Sequence, residues 1–130
     1  EKVSKKDLSR YGVAGGKEVA RRTYEITTLI EKPKPAEAPS NLAIIGKFIF
    51  TPELVRMLPK MKPGPGGELY PTDALDLFIK KGGALYGYEY EGIRYDCGEK
   101  LGFLQAVVRV GLQHSEVGKD FRKYLKKMKF

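Results

Sequence analysis

Glu31-Lys32-Pro33 places a carboxylate and an ammonium side by side at the end of a strand-like stretch. Such ends are where open α/β sheets hold ligands. A lysine there can meet a phosphate as a point charge, and a carboxylate can accept hydrogen bonds from sugar hydroxyls. By residue chemistry alone, the pair reads first as a solvated surface pair before a loop. Neighbours on a straight strand point to opposite faces, so both line one pocket only if the chain bends at Pro33. Pro33 itself biases Lys32 to an extended backbone. The second constellation is Tyr95-Asp96-Cys97-Gly98-Glu99. Asp96 is expected to end a strand and precede a helix. A carboxylate so placed suits a hard cation such as Mg2+ shared with phosphate oxygens. The following helix N-terminus favours anions. The plainer role for Asp96 is an N-cap or Asx-turn residue.

The remaining reactive residues carry less. His114 is the one histidine and has no Cys or His nearby, so it is expected to be structural or on the surface. Cys97 is the one cysteine, which excludes an intrachain disulfide; it reads as a small buried residue. Pro63-Gly64-Pro65-Gly66-Gly67 lacks the Lys-Ser/Thr of a phosphate loop and is expected to be a mobile surface loop. Tyr86, Tyr88 and Tyr90 share a strand face, where cross-strand packing is commoner than base stacking.

The elements that must position these residues follow from pattern. Tyr11-Gly12-Val13-Ala14 predicts a short strand ended by Gly15-Gly16. Residues 19–31 predict a second strand, with Tyr24, Ile26, Thr28 and Ile30 on one face. Residues 42–46 and 48–50 are continuously apolar, the habit of a strand covered on both faces in a parallel or mixed sheet. Thr51-Pro52 starts a brief helix. Thr72 is expected to cap a second helix, with Leu75, Phe78 and Ile79 inward and a stop at Gly82-Gly83. Residues 85–89 and 93–96 predict a hairpin around Tyr90-Glu91-Gly92. Leu101, Leu104, Val108 and Leu112 then keep helical spacing, and Phe103, Val107 and Val110 widen the arc, so this helix is expected to be well buried. A last helix is basic outside Phe121, Tyr124, Leu125 and Met128, a face that is most often simply solvated.

Composition sets the outer bounds. The 130 residues form one domain or a piece of one. With 42% hydrophobic and 11% aromatic residues, a wholly disordered chain is excluded. Twenty-four Lys and Arg against sixteen Asp and Glu leave a net charge of +8, which suits an anionic ligand. No apolar run approaches the ~18 residues that would span a bilayer. The first ten residues are charged and have no apolar core, so no signal peptide is expected. The single cysteine favours a reducing, cytoplasmic setting.

Five blocks recur in order: Ser9-Arg10-Tyr11-Gly12-Val13, Glu31-Lys32-Pro33, Ala38-Pro39-Ser40-Asn41-Leu42-Ala43-Ile44-Ile45-Gly46, Gly67-Glu68-Leu69-Tyr70-Pro71-Thr72-Asp73-Ala74 and Tyr95-Asp96-Cys97-Gly98-Glu99-Lys100-Leu101-Gly102. At these spacings the chain resembles the C-terminal half of bacterial UTP–glucose-1-phosphate uridylyltransferases, the UDP-glucose pyrophosphorylases. The resemblance runs from Ser9 to the last helix. It implies a nucleotide-diphospho-sugar transferase fold: a Rossmann-like α/β sandwich with a mixed central sheet. It also implies Mg2+-dependent formation of UDP-glucose and pyrophosphate from UTP and glucose 1-phosphate, by a dimer or tetramer in the cytoplasm. Matched by motif, Gly12 resembles the backbone position against the glucose. Glu31 resembles the acid that bonds the sugar hydroxyls, and Lys32 the lysine that meets the sugar phosphate. Asp96 resembles the second carboxylate of the Mg2+ site, and Ile44 a strand residue beside the sugar.

On this resemblance residues 1–130 are one sugar-phosphate-binding half, incomplete and inactive alone. The Gly-rich nucleotide loop, its lysine and the first Mg2+ carboxylate belong to an N-terminal half. Half a sheet would leave an apolar edge prone to association. Where many relatives have Gln-Leu, this chain has Tyr70-Pro71, which leaves pocket roles for Glu68 and Asp73 open. Within the enzyme class, the alternative is a sibling using dTTP or another sugar phosphate. From another class, the charge permits a basic module binding RNA or an acidic partner, which would leave the five blocks unexplained; no nucleic acid and no membrane are expected as partners.

Overall fold

In the computed structural model, residues 1–63 and 67–129 are described, so Gly64, Pro65 and Gly66 of the expected surface loop lie outside the described residues. The chain divides into two units, Glu1–Tyr90 and Glu91–Phe130. The first unit is built on a long hairpin. Strand β1 (Gly12–Ala20) pairs antiparallel with β2 (Thr23–Glu31). A short β3 (Leu42–Ala43) pairs with β1, and β4 (Tyr86–Tyr88) with β2, giving the antiparallel order β3-β1-β2-β4.

The hairpin departs from the expected strand ends. Gly15-Gly16 does not turn the chain; β1 runs through it, and the reversal comes at Arg21-Arg22, where Arg22 has φ of 59°. At the glycine pair the register slips instead: Gly15 faces Thr28 while Gly16 faces Ile26, so Thr27 is the extra residue of a bulge. A Cβ on Gly16 would collide with the Glu25 carbonyl oxygen, which is why glycine stands there. The bulge also flips the alternation. Tyr24 and Ile26 are buried as expected, but beyond Thr27 it is Leu29 that is buried and Ile30 that is exposed. Glu31 follows Leu29 on that face.

Two other expectations change. The apolar run at 42–50 forms only two residues of strand, which pair antiparallel with β1, and Gly46 turns the chain beyond them with φ of 82°. Phe48 and Phe50 beyond it stack on each other at 5.4 Å. No hairpin forms around residues 90–92. Residues 86–88 pair with the start of β2, and 93–96 lie in no strand. The segment between them has one glycine, at its end, and lacks the paired left-handed positions of a two-residue turn.

Helix α1 (Pro52–Met57) begins as expected, with Thr51 accepting from the Leu54 N–H at 3.4 Å. Helix α2 (Pro71–Lys80) stops at Gly82-Gly83, where Gly82 has φ of 88°. It lies on β2. Leu75 joins Ala14, Tyr24, Ile26, Leu29 and Leu54 in the core, with Phe78 and Ile79 packed beside them. A polar tie fixes its register: the Leu29 N–H donates to Asp76 Oδ1 at 3.3 Å, and Lys80 pairs with Asp76 Oδ2 at 2.5 Å.

The second unit holds α3 (Lys100–Gln113) and α4 (Gly118–Lys127). Phe121 covers Gly111, where an added Cβ would come to 2.9 Å of the ring. The expectation that α3 is well buried fails: it has no buried residue, and Leu101, Phe103, Leu104 and Val110 are more than half exposed. Within this unit only α4 packs on it, and one short basic helix cannot cover so wide an apolar arc. Cys97 is exposed, not buried, because it sits in the turn before α3. No helix among the described residues is long and apolar enough to cross a membrane.

Candidate functional site

Gly12 and Glu31 are opposite partners in the ladder, at the first residue of β1 and the last of β2. Ile44 follows β3 and donates its N–H to the Gly12 carbonyl at 2.8 Å. The start of α2 closes the same corner. A cavity of about 200 Å³ opens between them, lined by Arg10, Tyr11, Gly12, Glu31, Ile44 and Thr72 among others. Three of the five candidate residues thus share one cavity. A larger cleft of about 390 Å³ has mainly apolar walls and contains only Ile44 of the five. Of the two glutamates that line it, Glu1 and Glu89, Glu89 is already held by Lys2 and by the Tyr24 hydroxyl, both at 3.1 Å. The chemistry therefore concentrates at the smaller cavity.

Gly12 makes room for this corner. A Cβ there would lie 2.5 Å from Thr72 Cγ2, 2.9 Å from Glu31 Oε2 and 3.3 Å from Ile44 Cδ1. All three contacts are far below van der Waals distance or at its edge. Glu31 is half-buried, and its Oε2 accepts from the Thr72 hydroxyl at 2.5 Å. Thr72 is buried and polar, and it does not cap α2 as expected. The cap position is Tyr70. Proline favours the first helical position, so Pro71 pushes Thr72 into the first turn. The order Pro-Thr was the available signal for a threonine with another task.

Lys32 bends the chain, but not as an extended residue. Its N–H closes the last rung of the hairpin to the Tyr11 carbonyl at 3.0 Å, and its φ is 44°. A left-handed lysine costs on the order of 1 kcal/mol. This conformation bends the chain at the strand end but does not bring both side chains into one pocket. Lys32 is exposed and does not line the cavity; its ammonium lies 5.4 Å from the centre of the Tyr70 ring. Glu31 and Lys32 therefore both reach the N-terminal end of α2. Tyr70 donates to Glu68 Oε2 at 2.5 Å, and that bond raises the pKa of its hydroxyl above the ordinary value. The ring under Lys32 is thus neutral at physiological pH.

Asp96 belongs to the second unit and is described there. It is half-buried, ends no strand, and its Oδ1 accepts the Gly98 N–H at 3.1 Å, the geometry of an Asx turn. A Cβ on Gly102 would collide with the Asp96 backbone, so the first turn of α3 is packed on this residue. Among the described residues, no three His, Cys, Asp or Glu side chains gather as a metal cluster. His114 ends α3, and its Nδ1 accepts the Glu116 N–H at 3.3 Å.

The sequence from residue 2 to residue 111 matches the nucleotidyl transferase family. This chain belongs to that family. It is 40% identical over 129 residues to the UTP–glucose-1-phosphate uridylyltransferase of Streptococcus pyogenes, covering 98% of the chain and 42% of that relative. The second such enzyme of S. pyogenes serotype M3 is 38% identical over 125 residues, with 95% and 42% covered. Among solved structures, a UDP-glucose pyrophosphorylase complexed with UDP-glucose aligns at a TM-score of 0.76 and 36% identity, over 98% of this chain and 43% of that one. The UDP-glucose pyrophosphorylase of Acinetobacter baumannii aligns at 0.80 and 27% identity, over 98% and 44%. This member of the nucleotidyl transferase family thus shares the α/β fold of those pyrophosphorylases, and it spans about two-fifths of their length.

Proposed function

We propose that this chain supplies the sugar-phosphate side of a uridylyltransferase site, forming UDP-glucose and pyrophosphate from UTP and glucose 1-phosphate. The observation that carries this reading is the cavity corner, where Glu31 faces Gly12 and Ile44 beside Thr72. A half-buried carboxylate against a bare glycine backbone suits a ligand rich in hydroxyls. Lys32, one residue on, offers an exposed ammonium for that ligand's phosphate. The likeness to uridylyltransferases supports the choice of substrates.

In this reading a phosphate oxygen of glucose 1-phosphate attacks the α-phosphorus of UTP. The bond from that phosphorus to the bridging oxygen breaks, and pyrophosphate leaves. The transfer needs alignment and charge neutralisation rather than a covalent nucleophile. Glu31 orients the sugar, and Lys32 balances its phosphate. The residues present fit Mg2+ in part: Asp96 offers a hard carboxylate, and Mg2+ commonly takes one or two carboxylates with waters and phosphate oxygens. When bound, the ion would add positive charge where phosphate oxygens crowd together. The nucleotide loop and further carboxylate would come from an N-terminal half of the same protein, in a homo-oligomer.

Pyrophosphate release tests the proposal. The full-length polypeptide carrying this chain is given glucose 1-phosphate and Mg2+, with UTP or dTTP in parallel. Release with UTP is expected. Release with dTTP alone would move the chain to a sibling transferase, and silence with both would overturn the reading.

A further inference from the structure

We infer that Thr72 is a positioning residue that aims the Glu31 carboxylate at the ligand and so sets sugar selectivity. This deepens the proposed function and rests on it. Thr72 is 4% exposed, and its hydroxyl donates to Glu31 Oε2 at 2.5 Å. The side chain is bracketed on both branches. Its methyl lies against the Gly12 backbone, where an added Cβ would come within 2.5 Å, while its hydroxyl takes the carboxylate. A β-branched side chain has few χ1 choices, so fixing the methyl also fixes the hydroxyl.

The helix beneath it is fixed too. Asp76, four residues on and on the same face of α2, holds the Leu29 N–H, and Leu29 is two residues before Glu31 on the same face of β2. Thr72 to Glu31 and Asp76 to Leu29 are therefore two rungs between one helix and one strand. With Oε2 held, the carboxylate plane is set, and Oε1 is left to accept from a sugar hydroxyl at a defined direction. A carboxylate free to rotate would accept from differently placed hydroxyls almost equally. The cap position of α2 is Tyr70, so capping does not explain the buried Thr72 hydroxyl.

Steady-state kinetics on the full-length polypeptide with UTP test this, using glucose 1-phosphate and galactose 1-phosphate. Thr72→Val keeps the shape and removes the donor. We expect its KM for glucose 1-phosphate to rise about tenfold, as for a lost bond to a charged group. Its KM for UTP should hold, and its preference for glucose over galactose should shrink. Thr72→Ser keeps the donor and should retain most of the preference. Thermal melts check folding; if the valine variant does not fold, Thr72→Ala, which only removes atoms, carries the same comparison. An active wild type matched by the donor-less variant in KM and preference overturns this inference alone. A serine variant as impaired as valine assigns Thr72 to packing and also overturns it. A wild type silent with UTP and every sugar phosphate overturns the proposed function and this inference together.

Discussion

The Thr72 hydroxyl donates to Glu31 Oε2 at 2.5 Å, joining the first turn of a helix to the last residue of a strand forty-one positions away. That bond places the candidate sugar-binding carboxylate on the tertiary scaffold, in a corner whose fourth side is the bare backbone of Gly12.

Lys32 is exposed and rests over Tyr70, where a neutral ring offers only a weak hold at a surface site. Its ammonium is thus easily given up to a phosphate. In the full-length polypeptide, Lys32→Ala should weaken use of glucose 1-phosphate by tens-fold, about 2 kcal/mol for a lost charge-assisted contact. Kinetics equal to wild type would remove Lys32 from the site.

Gly12 has no space for a side chain. Gly12→Ala would drive a methyl into Thr72 and Glu31, and overpacking of this kind costs about 1–3 kcal/mol. The expected result is a lower melting temperature together with a raised KM for the sugar phosphate. A variant that melts and turns over like wild type would mean that the corner is looser than its contacts.

Asp96 accepts a backbone N–H in its turn and would share its charge with Mg2+. Asp96→Asn keeps the turn's acceptor and removes the charge. We expect the Mg2+ titration of pyrophosphate release to shift to higher concentration, with the melting temperature little changed. Superimposable titrations would count against a metal role.

Glu89 is held below its ordinary pKa of 4.5, first by the bond from Lys2 and then by the Tyr24 hydroxyl, with burial opposing both. A carboxyl depressed by folding adds stability above its unfolded pKa, and that stability is lost as pH falls through the folded value. Melting temperature should therefore drop as pH is lowered beyond 4.5. Glu89→Gln should flatten this part of the curve. Identical slopes for the two proteins would show that the Lys2–Glu89–Tyr24 contact does not govern acid stability.

Much of the site could be read along the chain where the determining physics is local. Thr51-Pro52 starts α1 because a β-branched acceptor followed by proline encodes a cap within four residues. Gly82-Gly83 ends α2 for a similar reason, a left-handed residue without a Cβ cost. Glu31-Lys32-Pro33 was legible as a strand end with two charges. Thr72 was misread because its local pattern fits a cap, and only Glu31, remote in sequence, shows why its hydroxyl is buried.

Residue types and order, without any coordinates, determined an α/β chain with a carboxylate–lysine pair at a strand end and the five blocks that mark its family. Tertiary structure alone decided three things. The bulge at Thr27, beside a glycine that leaves room for the Glu25 carbonyl, put Leu29 rather than Ile30 inward and carried Glu31 to the same face. The left-handed turn at Lys32 sent its side chain toward the same helix end as Glu31. Pairing of residues 86–88 with β2 replaced the local hairpin. Each depends on groups that meet across strands or between a strand and a helix, and a periodicity of two or 3.6 residues carries no record of such meetings.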